Sequence, residues 1–267
     1  GIRMIDPQNP LIHLSVTPSS SLLPVPGAAP AFFDEKPVPR GRVHYHRHTS
    51  ATFGDSRGYC VYTPAEYDRN PNARFPVLYL LHGYSDTEET WRVTGRANVI
   101  LDNLISEGKA VPMIVVMPHG YAKPQAGDGD GNWDAWFKRV VPRWESYLVR
   151  EMIPLVEKEY RVKPGAENRA VAGLSMGGGQ SAYCGLKNPG VFGYIGAFSS
   201  AVYMDLHGGL IADPAELNKS LRLFWIGCGT EDFLYKNNTA FIDALKSKNI
   251  RHTAHIIVIF EHIDVGL

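Results

Sequence analysis

The sequence is poor in cysteine, with three in 267 residues. Cys60, Cys184 and Cys228 are odd in number, far apart and set in apolar segments, which excludes a disulfide framework or a metal knuckle and reads as buried, unreactive thiols. It also lacks a charge imbalance: Lys+Arg and Asp+Glu each number 27, and no basic stripe interrupts the chain. Nucleic acid and an anionic membrane surface are therefore excluded as partners, and a neutral or small ligand is favoured. No run approaches the roughly 18 to 20 apolar residues of a spanning helix. The first residues also lack the basic-then-apolar pattern of a secretory leader. What remains is a chain with 44% hydrophobic residues, enough to bury one full core.

Residues 1–40 have little hydrophobic periodicity and are broken at Pro7, Pro10, Pro18, Pro24, Pro26, Pro30, Pro37 and Pro39, so they read as a linker or wrapping arm. One domain is expected over residues 41–267. Short β-rich runs occupy 43–49 and 59–63, and apolar strands are expected at 76–81, 113–117, 170–174, 194–198, 221–226 and 255–260. Helices are expected over 99–105, 147–160 and 241–246, with another running through Tyr183. Several strands are apolar on both faces, as a helix-covered parallel sheet requires, while the two early strands look like antiparallel additions. The expected fold class is α/β, a three-layer sandwich with a mostly parallel sheet and antiparallel N-terminal strands.

Gly173-Leu174-Ser175-Met176-Gly177 lies between the strand at 170–174 and the helix through Tyr183, where a G-x-S-x-G nucleophile elbow belongs. Its glycines let a strand turn sharply into a helix while the serine is held in a strained conformation, and Gly178 and Gly179 extend the close packing. Ser175 is thus the candidate nucleophile of an α/β-hydrolase. A hydroxyl needs a histidine to take its proton and an acid to orient that histidine, in the chain order Ser, Asp or Glu, His. Asp232, in Gly229-Thr230-Glu231-Asp232 after a strand, is the candidate acid, with Glu231 its rival. His262, past the last strand, is the candidate base. His252 and His255 precede or lie within that strand, at the wrong sheet edge, and His82 and His119 precede the serine. Backbone N–H groups of Met176 and of Tyr84, after His82-Gly83, would form the oxyanion hole. Such chemistry needs no metal or organic cofactor.

The segments Leu78-Tyr79-Leu80-Leu81-His82-Gly83-Tyr84, Val115-Val116-Met117-Pro118 and Ala172-Gly173-Leu174-Ser175-Met176-Gly177-Gly178 resemble the esterase D-like carbohydrate esterases of family 1, among them feruloyl and acetyl xylan esterases. Gly229-Thr230-Glu231-Asp232 is similar to that family's acid segment, and the resemblance runs from about residue 40 to about 255. It implies a secreted or cell-surface serine esterase that removes acyl groups from plant polysaccharide, with acylated polysaccharide or oligosaccharide as the partner. Met4-Ile5-Asp6-Pro7-Gln8-Asn9-Pro10 looks like the tail of an immunoglobulin-like, carbohydrate-binding module, which implies a longer protein. The family usually places Gly-Gly before its histidine and an aromatic soon after, whereas this chain has Phe260-Glu261-His262-Ile263 and no closing helix. Another acyl enzyme of the same fold, such as a thioesterase or S-formylglutathione hydrolase, and an inactive carbohydrate-binding scaffold are the alternatives.

Three further groups bear on chemistry. His44, His46 and His48 alternate on one strand face, where neighbours of like facing are about 6.6 Å apart, and read as a solvent-facing polar strand before a metal site. Asp128, Asp130, Asn132 and Asp134 resemble the start of a calcium loop, but Trp133 stands at the glycine position and no glutamate closes it. Trp91, Trp133, Trp136 and Tyr235 could wall a pocket for an aromatic acyl group or stack on sugar, or simply pack.

Overall fold

A computed structural model of the chain describes residues 5–16, 20–25, 31–121 and 133–258. The fold opens on an antiparallel pair, β1 (Arg42–Thr49) and β2 (Ser56–Thr63), followed by the short helix α1 (Ala65–Arg69). Next come β3 (Val77–Leu81), α2 (Thr90–Val93), α3 (Ala97–Ser106) and β4 (Ile114–Pro118). Helix α4 (Trp133–Tyr147) continues through one wide turn at Leu148–Met152 into α5 (Ile153–Glu159). The elements β5 (Arg169–Leu174), α6 (Met176–Lys187), β6 (Tyr194–Phe198), α7 (Met204–His207) and α8 (Pro214–Ser220) lead to β7 (Leu223–Gly229), α9 (Tyr235–Ser247) and β8 (Thr253–Ile257).

The eight strands form one sheet in the order β1-β2-β4-β3-β5-β6-β7-β8. Only the β1–β2 and β2–β4 pairs are antiparallel; β4–β3, β3–β5, β5–β6, β6–β7 and β7–β8 run parallel. Successive strand side chains point to opposite faces, so a strand buried on both sides feeds two cores. Tyr59, Val61, Tyr79, Leu81, Ile114 and Val116 enter the larger core against α4, α5 and α6. Cys60, Tyr62, Leu80, Val115 and Met117 enter the smaller one, with Trp91 and Leu101 packed against it. The three layers follow from that alternation, and the α/β-hydrolase expectation holds.

Boundaries moved more than elements did. The helix expected over 147–160 begins at Trp133, because α4 runs through Pro142 to join the segment that was legible. The strand expected at 221–226 is β7, Leu223–Gly229, and that expected at 255–260 is β8, Thr253–Ile257. All five β8 residues are exposed. Cys60, Cys184 and Cys228 are free and buried, and burial pushes the Cys60 and Cys228 thiols up to about 12. No helix among the described residues is long and apolar enough to cross a membrane.

Candidate active site

Parallel strands end together, so the C-terminal ends of β3, β5 and β7 bring Gly83, Ser175 and Asp232 to one edge of the sheet. Ser175, between β5 and α6, has φ 53° and ψ −112°, a region where a side chain is strained. Its backbone is tied on both sides: its N–H donates to Phe198 O at 2.9 Å, and its carbonyl accepts from Gly179 N at 3.0 Å and Ala201 N at 2.9 Å. The flanking glycines are required by space. A Cβ on Gly173 would stand 2.6 Å from the Gly177 carbonyl, and one on Gly177 would stand 2.4 Å from Leu81 O. The turn is therefore over-determined by backbone contacts, and it leaves Ser175 partly exposed at the N-terminus of a twelve-residue helix.

The loop after β3 lies against the serine: a Cβ built on Gly83 would sit 3.8 Å from Ser175 Cβ. His82 Nδ1–H donates to Gly83 O at 2.8 Å, and Asp86 N–H approaches the same oxygen at 3.4 Å. In a trans peptide the N–H points opposite to the C=O, so fixing the Gly83 carbonyl also fixes the direction of the Tyr84 N–H. His82 is buried, and its Nε2 accepts from Gly120 N–H at 2.8 Å, while Gln180 Nε2 donates to Gly120 O at 3.0 Å. Those partners assign the neutral, Nδ1-protonated tautomer. Met176 is buried, and its N–H, in the first turn of α6, has no acceptor within the helix.

Asp232 is buried in the loop after β7, while Glu231 beside it is exposed. The Asp232 Oδ1 accepts from Leu234 N–H at 2.8 Å. One strand, β6, separates β5 from β7, so Ser175 and Asp232 follow strands that lie two places apart and end at the same edge of the sheet. His262 lies outside the described residues. His255 stacks on Trp225 within β8 at 5.3 Å, and His252 Nδ1 bonds Ile250 O at 2.8 Å.

An aromatic row borders the site, part of it unread in the sequence. Tyr84 meets Tyr121 edge-on at 5.4 Å and Trp136 at 5.9 Å, and Tyr121 lies 5.7 Å from His119. His119 Nδ1 bonds Glu88 at 2.9 Å, and the Tyr45 hydroxyl donates to the other oxygen of that carboxylate at 3.0 Å. Burial raises the Glu88 carboxyl, but the His119 hydrogen bond and its other donors outweigh this and hold it at about 2. Trp91 packs into the smaller core, and Tyr235 opens α9. Asp128, Asp130 and Asn132 lie outside the described residues, as does the side chain of Asp134. The face of His44, His46 and His48 is not the solvent-facing one expected: all three are half-buried, with His44 bonded to Thr63 at 3.3 Å, His46 to the Tyr160 hydroxyl at 2.5 Å, and His48 stacked on Tyr147.

The buried histidines set an acid limit on stability. Burial lowers His82 to about 4 from 6.5 and lowers His207 as well. The unfolded chain takes up those protons near 6.5, so between pH 6.5 and 4 it binds more protons than the folded one, and stability rises with pH there. His82 alone contributes on the order of 3 kcal/mol that is complete above pH 6.5 and lost as pH falls to 4. Urea midpoints at pH 7.5, 5.5 and 4.5 should fall in that order. Equal midpoints would mean that His82 meets solvent.

Comparison with known proteins gives the family and the fold. The family model named Esterase matches residues 50–258. The chain is 33% identical over 219 residues to an endo-1,4-beta-xylanase/feruloyl esterase of Xylanibacter ruminicola, covering 81% of this chain and 28% of that protein. It is 28% identical over 186 residues to an esterase of Mycobacterium tuberculosis, covering 67% of this chain and 37% of that protein. The chain thus spans about a third of the length of these curated relatives. Among solved structures, a CE1 ferulic acid esterase from Anaeromyces mucronatus aligns with a TM-score of 0.73 at 25% identity, over 87% of this chain and 88% of that one. An S-formylglutathione hydrolase from Staphylococcus aureus aligns with a TM-score of 0.59 at 20% identity, over 83% and 92%, a likeness of fold alone.

Proposed function

The chain belongs to the Esterase family, and from that premise we propose that it is a serine carboxylic ester hydrolase acting on acyl groups esterified to plant polysaccharide, feruloyl esters first and acetyl esters second. The observation that carries the reading is the Ser175 turn, a partly exposed serine strained at φ 53° beside the Gly83 loop. Ser175 Oγ attacks the ester carbonyl, His262 takes its proton, and Asp232 orients the imidazole. The Met176 and Tyr84 N–H groups receive the negative charge that develops on the carbonyl oxygen. The alcohol leaves with the proton from His262, and water then releases the acyl group by the same steps in reverse. Buried Asp232 suits the orienting role better than exposed Glu231, since a carboxylate shielded from water holds an imidazolium more strongly.

Tyr84, Tyr121 and Trp136 supply faces and edges on which an aromatic acyl group can pack, which favours feruloyl over acetyl. The relative from Xylanibacter ruminicola, named as a xylanase/feruloyl esterase, supports the same order. An extracellular or cell-surface setting, and an upstream carbohydrate-binding module, belong to this proposal as well.

Incubation with a fluorophosphonate, followed by mass measurement and peptide mapping, should give one adduct, on Ser175. Methyl ferulate should then be turned over with kcat/KM at least about tenfold above an acetyl ester of the same alcohol, as one buried aromatic contact is worth roughly 1.4 kcal/mol or more. Absence of an adduct on folded protein would sink the mechanism, and an acetyl preference would sink the substrate order.

A further inference from the structure

Residues 11–16 lie far from Ser175 in sequence, yet they are bonded to the loop that carries the Tyr84 N–H. Ser15 forms an antiparallel bridge with Asp86, and Val16 N–H donates to Ser85 O at 2.7 Å. The Thr87 and Thr90 hydroxyls both donate to Leu14 O at 3.0 Å, and His13 Nε2 meets Asp86 Oδ1 at 3.0 Å. Three consecutive residues of the strap, Leu14 to Val16, therefore meet residues 85–90 through main-chain groups, with His13 adding a side-chain bond. The strap is braced from behind: Ile12 bridges Ser21, His13 N–H donates to Ser20 O at 3.1 Å, and Leu22 N–H donates to Leu11 O at 2.8 Å.

What the strap grips is a strained turn. Ser85 has φ 68°, and the turn closes through Asp86 N–H to Gly83 O. A non-glycine residue in that conformation persists only where its surroundings over-determine it, and such strain collects where geometry matters to chemistry. His82 fixes the Gly83–Tyr84 peptide from inside the protein. Two peptides along, the Ser85–Asp86 unit is fixed from outside by Val16, which donates to the Ser85 carbonyl, and its own Asp86 N–H turns back to Gly83 O.

We propose that residues 11–16 are a positioning strap for the oxyanion hole, holding the Ser85 turn so that the Tyr84 N–H faces the carbonyl oxygen as charge develops on it. The inference rests on the role proposed above for Tyr84. A donor aimed at the developing charge acts on the transition state and not on ground-state binding, so loosening it lowers kcat and leaves KM in place.

The test is Val16→Pro in the full chain, which deletes the N–H that donates to Ser85 O, with Val16→Ala as its control. Val16 is 53% exposed, so the alanine variant keeps the donor and loses little packing. Loss of a whole oxyanion donor lowers turnover about 100-fold to 1,000-fold. A loosened one should therefore lower kcat on a 4-nitrophenyl ester about tenfold or more, with KM within about twofold, and weaken a trifluoromethyl ketone inhibitor by the same factor as kcat. Val16→Ala should match the unsubstituted chain. Should Val16→Pro fail to fold, His13→Ala combined with Thr87→Val carries the test, removing one bond from each side. Unchanged kcat in a folded strap variant, or a lower melting temperature alone, overturns the strap. An unsubstituted chain that neither labels nor turns over overturns the underlying reading instead.

Discussion

Ser175→Ala should leave a folded protein whose ester turnover is lower by about 10⁵-fold or more, because the attacking oxygen is gone and only binding and oxyanion contacts remain. The fluorophosphonate adduct should vanish with it. Stability should change little, since alanine keeps the backbone ties to Phe198, Gly179 and Ala201. Ser175→Gly separates chemistry from strain. It is equally inactive, but it relieves the cost of a side chain at φ 53°, and its unfolding free energy from urea titration should exceed that of the alanine variant by about 1 kcal/mol. A nucleophile held at a cost in stability shows that pattern; a serine kept for packing shows the opposite order. Retained turnover in Ser175→Ala would remove the serine from the mechanism.

Much of this was legible in the sequence because the physics is local. Strands such as β4 are apolar at every position, so they announce burial on both faces, and G-x-S-x-G has its meaning fixed by the strand before it and the helix after it. Helix α4 was less legible: Pro142 sits inside it, and a proline there normally ends a helix. Asp232 was preferred to Glu231 in the sequence, although two adjacent acids of similar chemistry differ little there. The structure adds a physical difference between them, since the β7–α9 turn buries Asp232 and leaves Glu231 exposed. His82 read as a histidine before the serine, and only its contacts with Gly83 and Gly120 show it bracing the loop. The strap was the least legible element, since Leu14 to Val16 act largely through main-chain groups, which composition and periodicity do not report.

The tightest contact of the site makes the other large prediction. A Cβ added at Gly177 would stand 2.4 Å from Leu81 O and 2.7 Å from His82 O, and both atoms are backbone, unable to swing aside as a side chain tip can. Gly177→Ala must therefore push the first turn of α6 away from the end of β3. That turn carries Met176 and follows Ser175 directly, and the end of β3 leads into His82 and Gly83, so one methyl separates the two halves of the site. The overpacking should cost about 3 kcal/mol. Displacement near 1 Å should lower turnover about 100-fold in the fraction that remains folded. Gly209→Ala is the matched control, because nothing lies within 4 Å of its Cβ position and its φ is ordinary. That variant should keep both its urea midpoint and its kcat. If Gly177→Ala behaved the same way, the close approach of α6 to β3 would be wrong, and with it the account of why glycine stands on either side of Ser175.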